Sequence, residues 1–98
     1  MEFLVRIQAA ILTGANLTEA DLNKASLAES SLHEANLTNA KMSETSIGSP
    51  CLTGANLTNV DLSSAWIDLP DGIDNPRVAG AIFCDTIMPD GTKIKSFF

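Results

Sequence analysis

The chain has 98 residues, of which 45% are apolar and only 18% charged, and its 12 acidic and 6 basic residues give a formal net charge of −6. That length fits one domain, spanning residues 1–98, which can fold alone with a narrow margin. The acidic balance argues against direct nucleic-acid contact and against an anionic membrane surface, and aromatics at 5% mean that something other than large rings fills the interior.

The opening Met1-Glu2-Phe3-Leu4-Val5-Arg6 carries an acid where a secretory leader needs positive charge, and its apolar run is far too short for a bilayer span. A cytoplasmic location is the expectation. From residue 7 a five-residue period begins. Ile7, Leu12, Leu17, Leu22, Leu27, Leu32, Leu37, Met42, Ile47, Leu52, Leu57, Leu62 and Ile67 form an unbroken aliphatic series. Two residues before each stands a mostly small side chain, such as Ala10, Ala15, Ala20, Ala25, Ser30, Ala35, Ala40, Thr45 and Ala55.

Neither standard element tolerates this period. On a helix each step of five would rotate the Leu by about 140° and scatter the series around the whole circumference. On a flat strand an odd step sends alternate Leu residues to opposite faces, so the chain must bend after every five residues to aim them all inward. The number of fives per coil follows from the outward positions, which match only when they sit above one another. Gly14-Ala15-Asn16-Leu17-Thr18, Glu34-Ala35-Asn36-Leu37-Thr38 and Gly54-Ala55-Asn56-Leu57-Thr58 align at a lag of twenty, outward Asn and Thr included. Four fives per coil imply a square cross-section, with coils stacked about 4.8 Å apart by parallel hydrogen bonds. The expected inward columns are Leu12/Leu32/Leu52, Leu17/Leu37/Leu57, Leu22/Met42/Leu62 and Leu27/Ile47/Ile67, with Asp21/Lys41/Asp61 outside and alternating in sign.

This pattern resembles the pentapeptide repeat family, whose consensus is a small residue, Asp or Asn, Leu or Phe, then Ser, Thr or Arg, and often Gly. The likeness covers residues 5–69, with 76–90 partly rejoining it; Pro50, Cys51 and Trp66 depart from the consensus while staying in phase. It implies an all-β fold, a right-handed quadrilateral parallel β-helix. Family members are abundant in cyanobacteria, and some are acidic rods resembling duplex DNA that bind DNA gyrase or topoisomerase IV.

After Ile67 the register fails. Pro70-Asp71-Gly72 and Asn75-Pro76 are turn signals, so residues 70–77 are expected to form a loop. The phase resumes with Val78, Phe83 and Met88 as central residues and Ala81 and Thr86 as their small partners, adding a final side or two. Pro89-Asp90-Gly91 makes a further turn, after which the tail to residue 98 is expected to fold across the end, since a terminal coil has to be covered. No cap signal precedes the first repeat, so Phe3 and Leu4 are expected at an open end suited to a homodimer or to end-to-end stacking on another solenoid.

His33, with Glu34 beside it, is a lone surface imidazole; without a second His, a phosphate loop or a nucleophile triad it does not make a catalytic set. No catalytic residue, cofactor or metal site is expected, and the chain is read as a non-enzyme. The pairs Asn16 and Thr18, Asn36 and Thr38, Asn56 and Thr58 read as side-chain ladders on one flat face, a geometry that looks like the Thr arrays of ice-binding solenoids. Asp68, Asp71 and Asp74 lack the alternate-residue spacing of a calcium loop. Trp66 occupies an outward position above Ser46, where an exposed ring would mark a contact surface; cover by the 70–77 loop is the expectation. Cys51 and Cys84 form no metal or redox motif and are expected as free thiols. The function expected is a protein-interaction or structural module with a protein partner. The alternative is an acidic DNA mimic for a type II topoisomerase, against which stand an array of roughly 15 Å at about 4.8 Å per coil and carboxylates spread over different sides.

Overall fold

A computed structural model of the protein describes residues 12–27, 30–48, 51–69 and 72–96. Each pentapeptide is a short extended side closed by a tight turn. In each turn the amide of the small residue donates to the carbonyl of the preceding central residue, Ala15 to Leu12, Ala20 to Leu17, Ala35 to Leu32 and Ala55 to Leu52, at 2.9 to 3.1 Å. At the described corners other than that of Ser64 the second turn residue has positive φ: Gly14 at 71°, but also Glu19 at 61°, Lys24 at 63°, Glu34 at 57° and Asn39 at 61°. Positive φ at that position is type II geometry, and it costs a residue with a Cβ about 1–2 kcal/mol. The neighbouring coil offsets the strain by accepting the strained residue's amide: Glu19 donates to the Thr38 carbonyl and Asn39 to the Thr58 carbonyl, both at 2.9 Å.

Coils stack at the twenty-residue lag. Asn16 bridges Asn36 and Asn36 bridges Asn56, Asp21 bridges Lys41, Ser26 bridges Ser46 and Ser31 bridges Cys51, all parallel. Strand β1 (Ser46–Gly48) pairs in parallel with β2 (Trp66–Ile67). We number the four sides by the central residues of the first coil: Leu12, Leu17, Leu22 and Leu27. The overall extents are 36 × 24 × 23 Å, and the two nearly equal short axes are those of a square section. The fold is a quadrilateral parallel β-helix.

The interior is as expected and fully occupied. Leu32, Leu37, Leu52 and Leu62 are each 0% exposed, and the small inward positions Ala35 and Ala55 are buried with them. Two inward positions carry Thr, and each hydroxyl donates to a carbonyl of the coil below, Thr45 to Leu22 at 2.7 Å and Thr86 to Leu57 at 2.6 Å. A buried hydroxyl without such a partner would cost about 1–3 kcal/mol.

Beyond Ile67 the chain makes two 3-10 turns, Gly72–Asp74 and Pro76–Val78, and the Asn75 side chain caps the second by accepting from the Arg77 amide at 2.9 Å. Asn56 then bridges Ile82 and Asp61 bridges Ile87, six residues later than a twenty-residue step would reach. The fourth coil is larger than the final side or two expected. It covers three sides, because Leu52, Leu57 and Leu62 donate in turn to the carbonyls of Arg77, Ile82 and Ile87. Val78, Phe83 and Met88 top the first three columns as buried residues. The chain next reverses: β3 (Thr86–Ile87) pairs antiparallel with β4 (Lys93–Ile94), which occupies the outer edge of β3 and lays Ile94 against the core. On the fourth side the stack of described residues stops at the third coil.

Candidate interaction surface

The Asn/Thr row on the second side is in register, but its side chains do not form a ladder. Asn36 Oδ1 accepts from the Thr38 amide at 3.1 Å and the Thr38 hydroxyl at 2.7 Å, and Asn56 repeats the pair with Thr58 at 3.1 and 2.6 Å. Asn16 accepts from the Thr18 amide at 3.2 Å. Each Asn therefore braces its own turn, as an Asx motif does, and the hydroxyl protons of Thr38 and Thr58 are engaged within the row rather than offered outward. Ladders between coils occur at other positions: Asn59 Nδ2 donates to Asn39 Oδ1 at 3.0 Å, and His33 Nδ1 lies 2.6 Å from the Thr53 hydroxyl. His33 Nε2 is 3.1 Å from Glu34, and both side chains are substantially exposed. This imidazole fastens two coils together. The charge column is likewise not used as expected, since Asp21 and Asp61 each accept from the amide two residues on, Asn23 and Ser63, instead of turning to Lys41.

The third side contains a break that the periodicity hides. Between the first and second coils Leu22 donates to Lys41 and Lys41 to Ala20, and between the third and fourth Leu62 donates to Ile87 and Ile87 to Val60, at 2.8 to 3.0 Å. Between the second and third coils neither matching bond, Met42 to the Asp61 carbonyl or Asp61 to the Ala40 carbonyl, is formed among the described residues. At the next corner Glu44 N reaches the Ser64 carbonyl at 3.1 Å, whereas the pattern set by Lys24 and Ser43 calls for Ser63. A polar cleft of about 380 Å³ opens there, lined by Asn39, Lys41, Ser43, Asn59, Asp61 and Ser64 among others. Two features lie beside the parting. Val60 stands fully buried in a column that carries Ala20 and Ala40 below it, and extra methyl groups in a packed interior push coils apart. The Thr45 hydroxyl meanwhile draws the second coil toward the first through Leu22.

Trp66 stands beside this break. The expectation that the 70–77 loop would cover it is wrong: the ring is 71% exposed. The loop instead directs Leu69 toward the core. Trp66, Ala65, Ser63, Ser64 and Glu44 line a second, open cleft of about 330 Å³. A third, more apolar one of about 560 Å³ lies between the loop and the C-terminal hairpin, bounded by Leu69, Met88, Pro89 and Ile94. Phe3 and Leu4 lie outside the described residues, as does Asp71. Among the described residues no group of three or more His, Cys, Asp or Glu is placed to hold a metal ion, and no helix is long and apolar enough to cross a membrane. Cys51 and Cys84 are free, Cys51 being exposed. Of these surface features, sequence reading singled out Trp66 and missed Glu44, Asn39 and Asn59, which look like ordinary corner residues until the coils are stacked.

Residues 10–47 match the family model for pentapeptide repeats, in 8 copies. No curated protein matches the sequence. Among solved structures the chain is similar to HetL, a pentapeptide repeat protein involved in heterocyst differentiation regulation in the cyanobacterium Nostoc sp. strain PCC 7120, with 24% identity and a TM-score of 0.44 over 91% of this chain. It is also similar to a pentapeptide repeat protein of the Arabidopsis thaliana thylakoid lumen, with 16% identity and a TM-score of 0.40 over 85% of this chain. The chain spans 43% of the first protein's length and 63% of the second's.

Proposed function

This chain belongs to the pentapeptide repeat proteins, and from that premise we propose that it serves as a non-enzymatic interaction or structural module whose outward rows meet a protein partner. One observation carries the reading. The axis is filled by side chains at or near 0% exposure, so the polar and charged groups stand in rows on convex sides. Bonds within and between coils, such as Asn59 to Asn39 and Thr58 to Asn56, hold those rows in fixed geometry. A surface ordered before contact loses little conformational entropy on binding, which favours recognition of a macromolecular partner.

The test is affinity capture with the full chain and one charge-altering substitution per surface, the expected open end and each of the four sides: Phe3→Glu, Ser31→Lys, Asn36→Lys, Lys41→Glu and Trp66→Glu. The expected result is a discrete partner lost with one of them and kept by the others. Retention of every partner by all five folded variants overturns the reading. The acidic DNA-mimic alternative draws on the net charge of −6, and inhibition of gyrase supercoiling at micromolar protein would transfer the assignment to it. Asp21 and Asp61 flanking Lys41 on one side do not make a phosphate-like row.

A further inference from the structure

In each coil the amide of the central residue and the carbonyl of the small residue face the coil above. On the fourth side Leu27 N donates to Ser46 O at 2.7 Å and Ser46 N donates to Ala25 O at 2.9 Å. In the third coil the equivalent groups are the Ile67 amide and the Ala65 carbonyl. Among the described residues nothing in the fourth coil meets them, because after Met88 the chain turns back into β4. Among the described residues β2 pairs with β1 alone, and none of them adds a strand to its other edge. Trp66 projects from this same strand, and Glu44 shares its cleft with Ser63 and Ser64.

We propose that this edge takes up an extended basic segment of a partner protein, paired as a strand against β2, with a Lys or Arg side chain laid on the Trp66 indole and its charge met by Glu44. An unoccupied strand edge with its amide and carbonyl outward is a template for an added strand. The strand alone would accept many sequences; the indole face beside a carboxylate selects a cation. The protein's negative charge favours encounter with basic segments over acidic ones. The ring also projects where Ser26 and Ser46 stand in the coils below, so among the described residues it is the one large side chain on that row.

The inference rests on the interaction-module reading and gives it a site. Trp66 is the only tryptophan, so its fluorescence reports on this cleft alone. The probe is a capped octapeptide of alternating Lys and Thr, titrated at low ionic strength beside the same peptide with every Lys acetylated and an alternating Glu and Thr peptide. The Lys peptide is expected to produce a saturable change in Trp66 emission and shifts in the Ala65 and Ile67 amide resonances. The other two should bind at least about tenfold more weakly. Glu44→Gln, and Trp66→Ala followed through the same amides, should each weaken binding about fivefold to tenfold. Asp21→Asn removes one negative charge from a distant coil and should change it less than about twofold. Equal response to the acetylated peptide, equal loss with Asp21→Asn, or no saturation at millimolar peptide overturns the proposal. So does a Trp66 emission that shifts with protein concentration alone, which would give the edge to a second copy. If wild type and Trp66→Ala capture the same partner, this site fails while the module reading stands; if neither captures one and the peptide still binds, the reverse holds.

Discussion

Replacing Leu37 by Ala removes the most enclosed leucine of the second column. Leu37 is 0% exposed, with Leu17 and Leu57 in the coils on either side. Deleting its outer atoms forfeits their burial and leaves a cavity, which together cost about 2–5 kcal/mol in measured cores. Where in that range the cost falls depends on whether the walls can collapse. Here they are pinned on both sides, Leu17 donating to the Asn36 carbonyl and Leu37 to the Asn56 carbonyl, each at 2.8 Å. The expected loss is therefore in the upper half, about 4 kcal/mol. Leu17→Ala removes the same atoms from a half-buried position and should cost about 2 kcal/mol. A domain of this size has a stability of only about 5–15 kcal/mol, so both effects are large in urea denaturation followed by far-ultraviolet circular dichroism, extrapolated linearly to water. The comparison is diagnostic. Equal losses for the two variants, or a Leu37→Ala midpoint at the wild-type value, would refute the column.

Thr45→Val keeps the shape and deletes the hydroxyl bonded to the Leu22 carbonyl; since that carbonyl also accepts from the Ala25 amide at 2.9 Å, it is not orphaned and the cost should be about 0.5–1.5 kcal/mol by urea midpoint. Glu19→Gly relieves a left-handed φ of 61° and should stabilise by about 0.5–1 kcal/mol after the added freedom of the unfolded chain is counted. Gly14→Ala at 71°, where an added Cβ meets nothing within 4 Å, should destabilise by about 1 kcal/mol through the backbone alone. Hydrogen exchange should find the Met42 amide unprotected relative to Leu22, Leu37 and Leu62, and equal protection would dismiss the parted third side. The Asp90 carboxyl is held below its ordinary value of 3.8, first by the Thr92 amide, at 2.9 Å, and then by the Thr92 hydroxyl. A depressed carboxylate contributes stability above its unfolded value and loses it as pH falls through the folded one. An NMR titration should therefore place the Asp90 midpoint below 3.8, with the hairpin turn loosening only under it; a midpoint above 3.8 would contradict the bond.

The columns could be read in advance because inward Leu and Ala answer to a geometric demand repeated at every step, and the twenty-residue lag because outward Asn and Thr recur only where they stack. Details set by one side chain against one neighbour were not legible. Val60 looks like a conservative replacement of Ala, yet it stands where the backbone ladder parts. The Asn residues aligned so well that a ladder was the natural reading, but Oδ1 finds the amide two residues on before it finds the next coil. The size of the fourth coil escaped because the loop has no period from which to extrapolate. Trp66 was misjudged for the same reason, since the path of the loop decides whether the ring is covered. The corners concealed their own conformation as well: Glu, Lys and Asn at left-handed φ do not announce a type II turn as Gly does.

The six-residue excess after Ile67 enters and leaves at a corner, and the three columns above it resume without a shift. Corner length is thus decoupled from the lattice of the stack. A foreign peptide spliced between Leu69 and Gly72 would change what the molecule displays and leave its scaffold intact, whereas a single residue inserted within a side, between Asn36 and Leu37, would swap lining for exterior along the rest of that coil. Growth of such a molecule, by gene duplication or by engineering, has two permitted increments: a whole turn of the winding, or any length at a corner.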